Sequence, residues 1–150
     1  MYENQYDERM GIVDLDKSSL FVPYHISLME QEAYTATEKM VYLALKSFAI
    51  NATMCYPSQS KVMKRAGIKS NKTLTTTIQS LEEKGVLLCV PEFDQNNKRK
   101  SNTYYLAKLD HETGLFMPET LDKHKKQKLM GNQIAETLKQ GARKGTKKEA

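Results

Sequence analysis

Apolar positions along the chain recur first at three- to four-residue spacing and later in nearly continuous short runs, so helices are expected before strands. In TATEKMVYLALKSFAIN, Met40, Val41, Ala44, Leu45, Phe48 and Ala49 recur at helical spacing. Thr35 followed by Glu38 is a capping-box signature, in which each side chain accepts from the other residue's backbone N–H. A helix is expected to start at Thr35 and end near Asn51. A short extended piece at Thr53 to Tyr56 and then Pro57 follow it.

Pro57-Ser58 opens a second helix, with Ser58 or Ser60 as N-cap and Val62, Met63 and Ala66 facing inward. Gly67 stops it, because glycine takes up the left-handed backbone of a C-terminal cap at no steric cost, and Ile68 plugs the corner. A third helix is predicted from Ser70 as N-cap to about Lys84, with Gly85 as its stop. Its inward stripe is Leu74, Ile78 and Leu81. Threonine loses rotamer freedom in a helix, so the run Thr75-Thr76-Thr77 needs a reason other than propensity. Thr75 and Thr76 fall outside the stripe and Thr77 lies on its flank.

After Gly85, VLLCVPEF and TYYLAKL are β-rich runs joined by DQNNKRKSN, which predicts a hairpin with a cationic tip. Blunting a sheet edge against aggregation accounts for one or two of those charges. Residues 1–19 lack periodicity, and SLFVPYHISLM, interrupted by Pro23, predicts an extended entry segment. Between residues 107 and 150 the apolar residues Leu121, Leu129, Met130, Ile134 and Leu138 are sparse. They allow a lone amphipathic helix around 118–140, and the last ten residues read as disordered. The chain divides into an N-terminal arm and entry segment (1–34), a domain (35–106) and a basic C-terminal extension, partly helical or disordered (107–150).

Net charge is +5 over 150 residues, distributed as −5, +6 and +4 over those three segments. An acidic arm before a basic body is the coarse outline of a nucleic-acid binder. No apolar run approaches the length of a membrane span, and the polar, acidic start lacks the features of a signal peptide, so a cytoplasmic protein is expected. Cys55 and Cys89 sit among apolar neighbours without metal-binding spacing and read as buried thiols. His25, His111 and His124 are scattered, and no phosphate loop or nucleophile elbow is present. Glu82 and Glu83, adjacent on one helix, cannot converge on a substrate. No catalysis, cofactor, metal or small-molecule substrate is expected.

The order helix, extended piece, helix, glycine turn, helix, basic hairpin predicts a mainly α domain with a small β-hairpin, an α+β winged helix-turn-helix. The stretch CYPSQSKVMKRAGIKSNKTLTTTIQSLEEKGVL resembles the helix-turn-helix domain of replication-initiation and regulatory proteins from phages and plasmids of low-GC Gram-positive bacteria. Members pair a PS opening with a polar-capped recognition helix ending in LEEKG and an aliphatic strand. The resemblance covers roughly residues 35–106. Lys69 departs from it, standing between Ile68 and Ser70 where many such domains put the N-cap serine directly after the corner aliphatic.

In this reading the third helix, about 70–84, enters the major groove of double-stranded DNA. Ser70, Asn71 and Lys72 at its positive end hold phosphate or the first base, while Thr75, Thr76 and Gln79 face the base edges. Gln79 is the candidate for reading adenine. Lys98, Arg99 and Lys100 in the wing, about 94–102, contact phosphates or a narrowed minor groove, and Lys61, Lys64 and Arg65 bind the flanking backbone. A transcriptional regulator of a phage, plasmid or other mobile element is the favoured role. The alternatives are a replication-initiation or accessory factor at an origin and a winged-helix protein-interaction module, whose third helix would need exposed apolar anchors. A homodimer on two half-sites is open, through residues 19–29 or a helix within 118–140.

Overall fold

The computed structural model describes residues 22, 24–49 and 52–149, with side chains of the final helix described through Gly141. The expectations for residues 1–19 and for the start of the entry segment lie outside the described residues. In order, the elements are α1 (Ile26–Met29), α2 (Ala36–Phe48), β1 (Met54–Cys55), α3 (Gln59–Ala66), α4 (Asn71–Glu83), β2 (Leu87–Phe93), β3 (Arg99–Leu106), β4 (Lys108–Leu109), β5 (Phe116–Met117), a 3-10 helix (Pro118–His124) and α5 (Lys125–Glu149).

The fold is an α+β winged helix-turn-helix, with α2, α3 and α4 packed together and a three-stranded antiparallel sheet of order β1-β3-β2 beside them. Val41 and Leu45 from α2, Val62 from α3, Leu74 and Leu81 from α4, Val86 just before β2, and Leu87 and Tyr104 from the sheet are at most 1% exposed and form one core. Truncating one of its leucines to alanine costs on the order of 2–5 kcal/mol. On α2 the buried set shifts from the predicted one. Tyr42 is buried while Met40 is exposed, because Phe116 covers the Tyr42 side with its ring edge-on at 4.9 Å. The predicted end of α2 near Asn51 lies outside the described residues, and the helix closes at Phe48 with Ala49 as its cap.

Four features depart from the sequence expectation. The segment after Pro23 is not all extended, because Ile26–Met29 form one helical turn capped by His25, whose Nδ1 accepts from the Ser27 N–H at 3.2 Å. The ladder of the hairpin reaches Arg99, paired with Phe93, and Lys100, paired with Glu92, so the tip shrinks to residues 94–98. Asp94 Oδ1 closes that tip by accepting from the N–H groups of Asn96 and Lys98, each at 2.8 Å, and Asn97 takes a left-handed φ of 61°. Polar residues at an exposed ladder end pair through their backbones, which a reading of side-chain polarity takes for loop.

The third departure is the small sheet β4-β5, closed by Asp110 N–H donating to Leu115 O at 2.8 Å and by Gly114 at φ 72°. The fourth is the C-terminal helix, which runs through Glu149 where disorder is predicted from residue 141. Its first half packs on β2, and Gly131 makes this approach possible, since a Cβ there would lie 2.9 Å from Pro91 O. Lys128 Nζ donates to Cys89 O at 2.5 Å and pairs with Glu82 at 3.0 Å, tying α5 to the sheet and to α4. Of the two cysteines, Cys55 is buried as expected and Cys89 is half-buried. Burial pushes the Cys55 thiol up to about 12. Burial, helped by the nearby Glu82 carboxylate, pushes the Cys89 thiol up to about 11.

Candidate nucleic-acid interface

The α3-turn-α4 unit follows from four residues. Ser58 Oγ caps α3 by accepting from Lys61 N–H at 3.3 Å. Gly67, at φ 71°, ends it, and Ile68 N–H returns to Met63 O at 2.9 Å while its side chain, 9% exposed, fills the corner. Ser70 Oγ then caps α4 by accepting from Thr73 N–H at 3.3 Å. The Ser70 acceptor is thereby committed to the helix. Lys69, between them, is exposed beside that cap.

The two faces of α4 differ in kind. Leu74, Thr77, Ile78 and Leu81 are buried, and the Thr77 hydroxyl donates to Thr73 O at 2.7 Å, so one threonine of the run is a satisfied packing residue. Lys72, Thr75, Thr76 and Gln79 are exposed, and at helical geometry they fall within an arc of about 100° opposite the buried stripe. Asn71 is exposed at the first position of the helix, where the early N–H groups point outward. Glu83 ends the same exposed face with an acidic group.

Glu38 holds this helix in place. Its carboxylate, 3% exposed, accepts from Thr35 N–H at 2.9 Å in the capping box, from Ser80 Oγ at 2.9 Å and from Lys84 Nζ at 2.8 Å. Lys84 also donates to Ala33 O at 2.9 Å. Burial alone would raise the Glu38 carboxyl, but the bonds from Lys84, the Thr35 backbone and Ser80 outweigh it and hold the group below its ordinary value. The capping box was legible in sequence, whereas its second use, as a clamp on the last turn of α4, was not. Spacing within a helix carries no trace of a contact 46 residues away.

The hairpin continues directly from α4 through Gly85, and Glu82 Oε2 accepts from Cys89 N–H at 3.0 Å, fixing the first part of β2 to the helix. Lys98, Arg99 and Lys100 are exposed, Lys98 in the tip and the other two on β3. Arg99 is partly engaged within the hairpin, donating to Asn102 Oδ1 at 2.5 Å and lying 5.3 Å from the centre of the Phe93 ring. Lys61 and Lys64 on α3 are exposed. Arg65 is turned back onto α2, its guanidinium 3.7 Å over the Phe48 ring and bonded to Ser47 Oγ at 2.7 Å. The structure thus gathers Asn71, Lys72, Thr75, Thr76 and Gln79 on one helix, leaves Lys61, Lys64, Lys98 and Lys100 exposed at the surface, and gives the Ser70 hydroxyl, Arg65 and Arg99 partners within the domain.

Among the described residues no cluster of histidine, cysteine and carboxylate has the arrangement of a metal site, and no helix is long and apolar enough to cross a membrane. Comparison with curated proteins returns no match. A solved structure titled "Structure of Rep-DNA complex" is similar over 71% of this chain and 86% of that one, at 20% identity and a TM-score of 0.42, too distant a likeness to bear on function. Residues 35–87, running from the capping box of α2 to the start of β2, match the family model described as a helix-turn-helix domain.

Proposed function

We propose that the chain binds double-stranded DNA sequence-specifically, with α4 as the recognition helix and the β2-β3 hairpin as a basic wing, and that it regulates transcription in a phage, plasmid or other mobile element. The observation that carries the reading is the exposed face of α4 within a helix-turn-helix domain. Lys72, Thr75, Thr76 and Gln79 offer donors, acceptors and methyl groups there and no large apolar anchor. Threonine and glutamine bond base edges, and the threonine methyl packs on the thymine methyl. This also gives the exposed threonines a purpose that helix propensity does not. A protein-docking helix would present buried-type anchors on that face. In this reading the protein acts by binding, without catalysis or cofactor.

Selection of bound duplexes from a random pool, repeated at two salt concentrations, tests the proposal. A compact enriched motif is expected at both. A symmetric motif indicates two half-sites and a homodimer, and repeated motif arrays move the role to replication initiation. Retention of DNA without any motif, or no retention, overturns sequence-specific recognition.

A further inference from the structure

On the side of α2 away from the turn lies a cavity of ≈ 580 Å³, walled by α1, α2, the end of β3 and the β4-β5 unit. None of the residues lining it belongs to α3, α4 or the wing tip. Its size is that of small-molecule sites, which combine apolar walls with a few polar groups. Leu28, Tyr42, Leu106 and Leu109 supply much of the apolar wall, and Leu28, Tyr42 and Leu106 are all but fully buried.

The charged side chains in the lining are two lysines, and the other polar groups include two imidazoles. Lys46, Lys108, His25 and His111 line the cavity, and among the described lining residues none is acidic. The adjoining turn carries two carboxylates outside the lining, Asp110 and Glu112, and Asp110 Oδ1 accepts from Glu112 N–H at 2.9 Å. Lys46 Nζ donates to Ala52 O at 3.0 Å, which uses one of its three donors and anchors the ammonium at the wall. Tyr24, also in the lining, has a buried hydroxyl without a hydrogen-bond partner, an arrangement that costs a folded protein unless something satisfies it.

One contact forms the rim. His25 Nδ1 accepts from Ser27 N–H, so its other nitrogen carries the proton and donates to His111 O at 2.6 Å. The two rings lie 6.0 Å apart and nearly parallel. This contact clamps α1 to the turn at residues 110–114, where Gly114 approaches Ser27 so closely that any Cβ would collide with it. The cavity wall is therefore built by specific side-chain contacts across 86 residues of chain.

We infer that this cavity binds a small organic anion with an apolar body, of the carboxylate or sulfonate class, as a ligand independent of the DNA face. The full chain is titrated with anilinonaphthalene sulfonate and, in parallel, with phenylnaphthylamine, which has the same body without the charge. Saturable one-to-one binding of the sulfonate is expected, about 10-fold or more tighter than the amine, the range of a charge-assisted contact. Amide signals of Tyr42, Leu106, Leu109 and His111 are expected to shift. Replacing Lys46→Met together with Lys108→Met should bring the sulfonate down to the affinity of the amine and leave amine binding unchanged, which also reports that the cavity is still folded. If that pair does not fold, Lys108→Met alone, at an exposed position, should still weaken the sulfonate selectively. Equal affinity for the two probes, binding without saturation, or shifts confined to the exposed Leu129, Met130 and Ile134 of α5 would overturn the inference.

Discussion

Replacing Glu38→Gln removes the negative charge from the clamp on α4 while keeping the shape of the side chain. In the protein that carboxylate is nearly inaccessible and accepts from Lys84, Ser80 and Thr35, all at 2.8–2.9 Å. Hydrogen bonds to a charged group contribute about 1.5–3 kcal/mol and neutral ones about 0.5–1.5, so the exchange should cost roughly 1–2 kcal/mol at neutral pH. The lower half of that range applies to the Lys84 part, because Lys84 is 36% exposed and water recovers some of its loss. The cost should also depend on pH in one direction. The folded carboxyl titrates below its ordinary value of 4.5, so its stabilisation is complete above that pH and is lost as pH falls through the folded value. Urea unfolding followed by far-UV circular dichroism at neutral pH and at the lowest pH at which both proteins stay folded reads both quantities. The wild-type advantage over Glu38→Gln should be roughly 1–2 kcal/mol at neutral pH and should shrink toward zero in acid. An advantage of the same size at both pH values would show that the carboxylate charge does not hold the helix.

Three other outcomes follow from named contacts. Replacing Lys98, Arg99 and Lys100 with alanine should flatten the slope of log K against log salt by about 2–3, from a starting value of roughly −4.5 to −6; an unchanged slope removes the wing from the interface. Gln79→Ala should leave nonspecific binding intact and reduce discrimination at one base pair by about 1–3 kcal/mol, measured by competition between the selected duplex and its single-base variants. Gly131→Ala would ordinarily stabilise a helix by about 1 kcal/mol, yet the new Cβ would sit 2.9 Å from Pro91 O, so a lowered Tm is expected. A raised Tm would mean that α5 does not press on β2 as described.

Helices α2, α3 and α4 were legible because their signals are local. Thr35 with Glu38, Ser58 before α3, Gly67 at its end and Ser70 before α4 each act within four residues, and each cap forms. The stripe Leu74, Ile78 and Leu81 was likewise readable, since burial of one helical face imposes its period on the sequence. What escaped reading depends on partners distant in the chain. Tyr42 is buried because Phe116 covers it, β4 needs β5, and α5, whose Leu129, Met130 and Ile134 stay exposed, meets β2 because Gly131 lets its backbone approach Pro91. For the candidate interface the polar face of α4 could be picked out by subtraction from the apolar stripe. The diversion of Arg65 onto Phe48 and of the Ser70 acceptor into the cap could not be seen in residue types, because exposed cations and serines look alike before their neighbours are placed.

Amide chemical shifts of the full chain, recorded as the selected duplex is added, test the central claim most directly. The account predicts the largest changes at Asn71, Lys72, Thr75, Thr76 and Gln79, with a second group at Lys98 to Lys100 that weakens as salt is raised. Changes confined to other surfaces, with the exposed face of α4 silent at saturating DNA, would contradict it.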